Sequence, residues 1–230
     1  MNCSWNCCRK ERCKSMIRTV IVEDNPLIQK HLQAMIAGDP EFLTVAVLQD
    51  AFEAEKLAGS EQIDLILMDV QTLHNHSGLA AGGRIREKYP YIRIVIVTSL
   101  IDPEILKAAK SGAADSLWYK DHGDAELMEV IRRTLSGEHI FPDSSPEVEL
   151  KEMFSSGLTP RQMDILRLFI KGLTYDEIAE ELGISRNGVR WNLDQVVERG
   201  GFRNKHELLA AVIEKKLIVT TLVDGADESG

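Results

Sequence analysis

Short apolar runs alternate with amphipathic segments along the first 135 residues of the chain. Five runs have the composition of strands that are buried on both faces, and they begin at Arg18, Leu43, Ile63, Tyr91 and Ser116. Each run is followed by a segment with helical periodicity, and these segments span 26–37, 51–58, 78–88, 103–111 and 124–135. This alternation predicts an α/β fold, a doubly wound parallel sheet of five strands covered by helices.

The pattern changes at residue 158, after which only helical periodicity is found. Capping boxes that begin at Thr159 and Thr174 predict the first two helices, and Ser185 predicts the start of a third. Gly183 ends the second helix, so the third begins three residues after Leu182, which is the spacing of a helix-turn-helix motif. With a fourth helix over 205–216, this part of the chain is predicted to be a small all-α domain of four helices.

Residues 136–157 show neither the alternation of strands and helices nor a helical periodicity, and they are interrupted by prolines, serines and glutamates. We predict a linker there, with a short helical turn over 148–154. The chain is therefore predicted to contain an extension over 1–16, an α/β domain over 17–136, the linker over 137–157, a helix-turn-helix domain over 158–219 and a tail over 220–230.

The formal net charge of −9 on 230 residues means that any contact with nucleic acid must come from a local basic patch. No apolar run approaches the roughly 20 residues of a membrane helix. The N-terminus also lacks the apolar core of a signal peptide. We therefore expect a cytosolic protein.

The cysteines are confined to the start of the chain, at Cys3, Cys7, Cys8 and Cys13. Four clustered cysteines could bind zinc, but this spacing fits no established zinc motif and adjacent cysteines rarely serve one closed site. We predict instead a disordered extension. One form of this interpretation is a misplaced start codon, with the natural chain beginning at Met16.

Polar side chains stand where the predicted strands end, at Glu23, Asp24, Asp69, Thr98 and Lys120. The carboxyl ends of parallel strands lie at one edge of a sheet, so we expect these side chains to converge. Carboxylates this close together require a cation, and hard oxygen ligands favour Mg²⁺. Asp69 could then attack a phosphoryl group and form an acyl phosphate, with Mg²⁺ and Lys120 offsetting the charge on the phosphoryl oxygens. The Thr98 hydroxyl could bond to a phosphoryl oxygen and draw its loop inward.

The segments IVEDN, LILMDV, IVIVTS and WYKD, in this order and spacing, resemble the receiver domain of bacterial two-component response regulators, which has a flavodoxin-like fold. The resemblance implies that a partner sensor histidine kinase phosphorylates Asp69 and that Lys120 contacts the phosphate. It implies that Thr98 is the switch hydroxyl. It further implies that Mg²⁺ is held by Glu23, Asp24, Asp69 and the backbone carbonyl of Gln71. The alternative is an α/β binding domain whose acidic residues are incidental.

The loop after Asp69 departs from the receiver pattern. Leu73 stands where a proline is usual, and the segment QTLHNHSG is one residue longer than in the family. His74 and His76 lie in this loop, but the nearby sequence offers no third ligand, so we assign them no role.

A second departure affects the switch aromatic, the aromatic residue that in this family rotates together with the switch threonine. It usually falls three residues before the conserved lysine, which is Lys120 here. That position is Leu117 here. Strand alternation places Tyr119, and not Trp118, on the same side of the strand as Leu117.

The third helix of the C-terminal domain has an exposed face that suits DNA. With Val189, Leu193 and Val196 buried, a helical period turns Asn187, Arg190, Trp191 and Asp194 outward. Arg can read guanine in the major groove, and Trp can pack on thymine methyl groups. The stretch 185–205 holds five basic and two acidic residues, a local charge of +3 that suits phosphate contact.

The sequence from LTPRQMDIL to AAVIEKKLI resembles the LuxR-type (NarL/FixJ) helix-turn-helix output domain. The resemblance implies base contacts from Arg190, Trp191 and Asp194, phosphate contacts from Arg186, Asn187 and Lys205, and homodimer pairing around 208–213. Two positions depart from the family. Asp194 replaces a basic or small polar residue, and Gly200 replaces an apolar one, so the end of the third helix is expected to fray. A helical protein-interaction domain is the alternative.

These features together predict a response regulator that acts as a transcription factor. Mg²⁺-dependent phosphorylation of Asp69 would release a masked DNA-reading helix and allow dimerisation on a two-fold site in double-stranded DNA. The protein would hydrolyse its own acyl phosphate but is not expected to be a dedicated enzyme. One alternative is a phosphorylation-independent DNA-binding regulator whose atypical receiver serves dimerisation or ligand sensing. Another is an enzyme of the haloacid-dehalogenase kind, although Gln71 stands where that chemistry needs a second acid.

Overall fold

The computed structural model describes residues 16–120 and 123–218. The predicted disordered extension, apart from Met16, and the predicted tail lie outside the described residues. Among the helices of the described part, none is long and apolar enough to cross a membrane.

The N-terminal part alternates strands and helices as predicted. In chain order its elements are β1 (Ile17–Val22), α1 (Pro26–Ala37), β2 (Phe42–Leu48), α2 (Ala51–Ala58), β3 (Leu65–Met68), α3 (Gly78–Lys88), β4 (Arg93–Thr98), α4 (Pro103–Ala108), β5 (Ser116–Tyr119) and α5 (Asp124–Leu135). The five strands form one parallel sheet in the order β2-β1-β3-β4-β5. The predicted flavodoxin-like α/β fold is therefore confirmed.

Side-chain caps fix where most of these helices begin. Asn25, Asp50 and Ser77 each accept a hydrogen bond from a backbone amide in the first turn of α1, α2 and α3. The helix predicted over 103–111 behaves differently, because α4 ends at Ala108 and the chain continues as a π-helical segment over Ala109–Ala113. Gly112 closes that segment with a φ of 120°, a conformation that glycine adopts without strain.

The central strand β3 is buried on both faces of the sheet. Its side chains alternate between two hydrophobic clusters. Ile66 and Met68 lie in the cluster that includes α2 and α3, whereas Leu65 and Leu67 lie in the cluster that includes α1 and α5. Because both faces are apolar, β3 is a continuous hydrophobic run, and Asp69 follows it directly.

The linker contains strands and not the predicted helical turn. Two short strands, β6 (Glu149–Leu150) and β7 (Met153–Phe154), form an antiparallel hairpin, and a single 3₁₀ turn follows over Ser155–Gly157. Lys151 makes the hairpin turn with a φ of 57°. The prediction was wrong because Leu150 is buried between the exposed side chains of Glu149 and Lys151, a period-two pattern that favours strand.

The C-terminal part consists of α6 (Pro160–Ile170), α7 (Tyr175–Leu182), α8 (Arg186–Arg199) and α9 (Lys205–Glu214). Both predicted capping boxes are present, at the starts of α6 and α7. Gly183 has a φ of 61° and makes the tight turn into α8. The expected fraying at Gly200 is not seen. This buried residue caps α8, and a Cβ there would lie 2.3 Å from the Phe202 ring, so close packing accounts for the glycine.

Candidate functional site

The ends of β1, β3 and β5 bring three predicted site residues into direct contact. Lys120 Nζ donates to Glu23 Oε2 at 2.5 Å and to Asp69 Oδ2 at 2.9 Å. The second oxygen of Asp69, Oδ1, accepts from the Val70 amide at 2.7 Å. These groups lie in a cavity of about 180 Å³. Its lining includes Asp24, Gln71, Ser99, Leu100 and Lys216.

The loop that follows Asp69 returns close to that residue at the start of α3. Gly78 begins α3 and donates its amide to the Val70 carbonyl at 2.9 Å. A Cβ at Gly78 would lie 1.8 Å from the Asp69 carbonyl oxygen, so this position requires glycine. This close contact between Gly78 and the Asp69 carbonyl restrains the backbone from Asp69 to Gln71.

Burial shapes the protonation of the three groups. It raises the pKa of Asp69, although Lys120 opposes the shift. Burial and the charge of Asp69 likewise raise the pKa of Glu23. Burial would lower the pKa of Lys120, but Asp69 and Glu23 outweigh it and raise that pKa. The lysine is therefore an ammonium at neutral pH, and ionising both acids carries an energetic cost.

The donor set fits a divalent cation. Oxygen atoms of Glu23, Asp24 and Asp69 lie within 4.8 Å of one another. Three carboxylates against the single ammonium of Lys120 leave two negative charges at the site when all are ionised, which Mg²⁺ would balance. Hard carboxylate and carbonyl oxygens are the ligands that Mg²⁺ prefers over softer metals.

Ion-free protein should lose stability relative to Asp69→Asn as pH rises above the ordinary carboxyl range. The raised pKa of Asp69 means that the folded state binds its proton more tightly than the unfolded state, so stability is lost as the folded-state group ionises. Mg²⁺ should reverse this loss in wild type, by about 2.7 kcal/mol at a hundredfold excess over its Kd. Thermal melts with Mg²⁺ or EDTA across this pH range measure both effects. Equal Mg²⁺ stabilisation of Asp69→Asn would contradict the assignment.

Thr98 lies beside the cavity but does not line it. Its side chain is fully buried, and Oγ1 accepts from the Leu100 amide at 3.1 Å. Residues Ser99 and Leu100, which follow it, line the cavity in its place. Because Oγ1 accepts in this bond, a contact with a phosphoryl oxygen would use the hydroxyl proton and would need the Thr98 side chain to reach the cavity.

The neighbouring strand confirms the predicted alternation of aromatic side chains. Leu117 and Tyr119 belong to one hydrophobic cluster, and Trp118 belongs to the cluster on the other face of the sheet. Tyr119 pairs in register with Thr98. It is buried, and its hydroxyl donates to Ser145 Oγ of the linker at 3.3 Å.

The C-terminal domain docks on the loop that follows β4, a contact that sequence reasoning missed. Arg167 of α6 donates to both carboxylate oxygens of Asp102, at 2.8 and 2.9 Å, and Asp102 is fully buried. Lys216, just after α9, accepts from the Ile101 amide at 3.2 Å through its carbonyl and donates to Ser99 Oγ at 2.8 Å. The same lysine lines the Asp69 cavity. The partners are at least 65 residues apart, so no local sequence pattern indicates them.

The predicted DNA-reading face is exposed on α8. Val189, Leu193 and Val196 are buried, as the helical period requires. Arg186, Asn187, Arg190, Trp191 and Asp194 are all exposed, and Trp191 retains 61% of its accessible surface. The docked N-terminal domain does not cover these five side chains, so the predicted masking is not seen in this structure.

Short-range ion pairs order the polar groups around α8. Asp194 accepts from Lys205 at 2.7 Å and lies 3.5 Å from Arg190. Arg186 pairs with Asp176 at 3.2 Å. Lys205 is only partly exposed and lies 5.3 Å from the centre of the Tyr175 ring. Asp194 thus pairs with two of the predicted DNA contacts, Arg190 and Lys205.

Comparison with known proteins matches two parts of the chain to known families. Residues 19–132 match the family described as response regulator receiver domain, and residues 155–195 match sigma-70, region 4. The oxygen regulatory protein NreC of Staphylococcus aureus is 26% identical over 216 residues, covering 88% of this chain and 99% of NreC.

Solved structures share the architecture. RcsB from Salmonella enterica serovar Typhimurium, solved bound to promoter P1flhDC with the phosphomimetic BeF3⁻, has a TM-score of 0.58 at 19% identity, covering 85% of this chain and 97% of that one. A LuxR-family response regulator from Aurantimonas sp. SI85-9A1 has a TM-score of 0.51 at 27% identity, covering 55% of this chain and 89% of that one. The chain thus belongs to the two-component response regulators, with a receiver domain followed by a LuxR-type helix-turn-helix domain.

Proposed function

We propose that this protein is a cytoplasmic transcription factor whose DNA binding is controlled by phosphorylation of Asp69 by a partner sensor histidine kinase. The observation that carries the proposal is the contact of Lys120 with both Asp69 and Glu23, in a chain that also exposes the reading face of α8. The first feature is a site for an acyl phosphate, and the second is a surface for double-stranded DNA.

The chemistry at Asp69 is a phosphoryl transfer. A carboxylate oxygen of Asp69 attacks phosphorus, the bond from phosphorus to the kinase histidine nitrogen breaks, and that nitrogen keeps the electron pair. Lys120 already donates to Asp69 Oδ2 and offsets the charge on the phosphoryl oxygens. Mg²⁺ would be held by Glu23, Asp24, Asp69 and the Gln71 carbonyl, and it supplies further charge neutralisation. Hydrolysis of the acyl phosphate resets the site. The protein thus gains and loses a phosphoryl group on its own side chain and does not turn over a separate substrate, so we do not class it as a dedicated enzyme.

The change at Asp69 would reach the output domain through the β4–α4 loop. If Thr98 moves toward the phosphoryl group, the loop that donates the Leu100 amide to its Oγ1 would move with it. Ser99 and Ile101 in the same loop contact Lys216, and Asp102 contacts Arg167. A shift of this loop therefore alters how the two domains dock, which gives phosphorylation a route to the output domain.

Dimerisation would use the exposed side of α9. Leu208 and Val212, within the predicted pairing segment, are buried in the domain itself. The outward side presents His206, Ala210 and Ile213, and Ile213 retains 57% of its accessible surface. A two-fold pairing of these faces would place two α8 helices on a two-fold DNA site.

Arg190→Ala should weaken specific DNA binding by about 1–3 kcal/mol and relax base preference at one position of the site. Its side chain is exposed on the reading face, where a guanidinium can bond to guanine. Sites selected by the phosphorylated wild type from random duplexes provide the probe, and titration at fixed salt gives the affinities. Arg161→Ala is the charge-matched control, because Arg161 is exposed on α6 and bonds to Leu182 within the domain. An unchanged footprint with Arg190→Ala would exclude the proposed reading face.

One observation favours a second function, a regulator that binds DNA without phosphorylation. Leu117 stands where the family has its switch aromatic, so the receiver lacks part of the usual switch. Such a receiver would serve as a dimerisation or ligand-sensing module. The two functions differ in whether DNA occupancy depends on the Asp69 carboxylate.

A further inference from the structure

We propose that Asp50, His74 and His76 form a binding site for a transition-metal ion such as Zn²⁺ or Co²⁺, separate from the Mg²⁺ ligands. His76 Nδ1 lies 2.6 Å from Asp50 Oδ1, and His74 Nδ1 lies 3.2 Å from Asp50 Oδ2. One ligand atom from each residue lies within 4.8 Å of the others. The third ligand missing from the local sequence is thus supplied by the start of α2.

The carboxylate is ready to act as a ligand. Asp50 is buried and caps α2, where Oδ1 accepts from the Phe52 amide at 2.9 Å. Burial raises the pKa of Asp50, but hydrogen bonds from His76, the Phe52 amide and His74 outweigh it and hold the pKa below its ordinary value. The group is therefore ionised at neutral pH.

The loop holds both imidazoles in place before any ion binds. Thr72 accepts from the Ala51 amide and donates to the His76 carbonyl, and the Leu73 amide donates to the Gln49 carbonyl at 2.9 Å. These bonds tie the loop after β3 to the start of α2. His74 and Asn75 both adopt a positive φ, of 59° and 58°. Two successive non-glycine residues in this region are uncommon, and they turn both histidines toward one carboxylate.

The ligand types indicate the class of ion. Two imidazole nitrogens and one carboxylate oxygen suit Zn²⁺, Co²⁺, Ni²⁺ or Cu²⁺ and do not suit Mg²⁺, which prefers oxygen. An ion held through both Nδ1 atoms requires each neutral imidazole to carry its proton on Nε2. His74 borders an open cavity of about 410 Å³, so water can reach the site and complete the coordination.

Binding would fix the loop that forms one side of the phosphorylation site. Gln71, in the same loop, lines the Asp69 cavity and pairs with Ser77 across the loop. A bound ion would therefore hold that edge of the cavity. This consequence rests on the proposed function, whereas ion binding itself does not.

The test is titration of Co²⁺ into the full-length chain in which all four N-terminal cysteines are replaced by serine, since thiolates would compete for the ion. Excess Mg²⁺ is present throughout to occupy the carboxylates around Asp69. We expect one equivalent to bind, with a visible spectrum of nitrogen and oxygen coordination. His74→Gln, His76→Gln and Asp50→Asn should each weaken binding by about tenfold or more. Asparagine keeps the cap on α2, so that variant should stay folded, and circular dichroism checks this.

His31→Gln is the matched control, because His31 also bonds to a carboxylate, Asp124, at 2.8 Å. It should leave Co²⁺ affinity unchanged. Absence of stoichiometric binding, or binding that survives His74→Gln and His76→Gln together, would overturn the proposal. Neither outcome depends on phosphorylation of Asp69, so a failure here is distinguishable from a failure of the proposed function.

Discussion

Asp69→Asn should abolish acyl-phosphate formation when the protein is incubated with acetyl phosphate and Mg²⁺. The amide of asparagine is a poor nucleophile and carries no charge to attract the cation, so no transfer should be detectable. The change is nearly isosteric and leaves one side-chain oxygen, which can accept from either Lys120 or the Val70 amide, so the fold should persist. Hydroxylamine-labile phosphate, measured by mass spectrometry of the intact chain, reports the acyl phosphate.

Asp64→Asn is the matched control for this experiment. Asp64 lies next to the opposite end of β3, where it is exposed and accepts from the Arg18 amide at 2.8 Å. It should label like wild type. Phosphate that remains on Asp69→Asn and resists hydroxylamine would place the acceptor elsewhere in the chain.

The same variant separates the two candidate functions. A regulator controlled by phosphorylation should lose occupancy of most of its genomic DNA sites in Asp69→Asn. A phosphorylation-independent regulator should keep the same sites. Genome-wide mapping of bound DNA in both strains therefore distinguishes them, whatever the identity of the kinase.

The sequence predicted those parts of the molecule that depend on local periodicity. β3 is apolar at every position because helices cover both faces of the sheet, and α8 alternates buried and exposed positions with a helical period. Parallel strand ends share one edge of the sheet, so Glu23, Asp69 and Lys120 could be placed together before their distances were known.

Features that depend on distant partners were not predictable in this way. His74 and His76 meet Asp50 only because the chain folds α2 against the loop after β3. Thr98 was expected at the cavity, but its hydroxyl bonds to the backbone two residues on, which its position at a strand end does not indicate. The docking of Arg167 on Asp102 depends on how the domains are arranged, which no periodic pattern records.

Arg167→Met should release the output domain from the receiver. The change leaves Asp102 buried and without the guanidinium, and breaking a buried pair in this way costs about 3–5 kcal/mol. The docked arrangement also includes the bond from the Ile101 amide to the Lys216 carbonyl. Hydrogen–deuterium exchange at Ile101 should therefore accelerate by about 100-fold or more, since each 1.4 kcal/mol corresponds to a factor of ten.

A double-mutant cycle identifies the origin of this effect. Asp102→Asn keeps an oxygen to accept from the Glu104 amide and so preserves the cap on α4. Combined with Arg167→Met it removes the charge of the buried carboxylate as well as that of the guanidinium, so the double variant should exchange more slowly at Ile101 than Arg167→Met alone. Arg161→Met, on the same helix but bonded within the output domain, should match wild type. Wild-type exchange in Arg167→Met would show that this pair does not hold the domains together. If docking restrains the output domain, Arg167→Met should also bind DNA more tightly than wild type without phosphodonor, because part of the cost of undocking has already been removed.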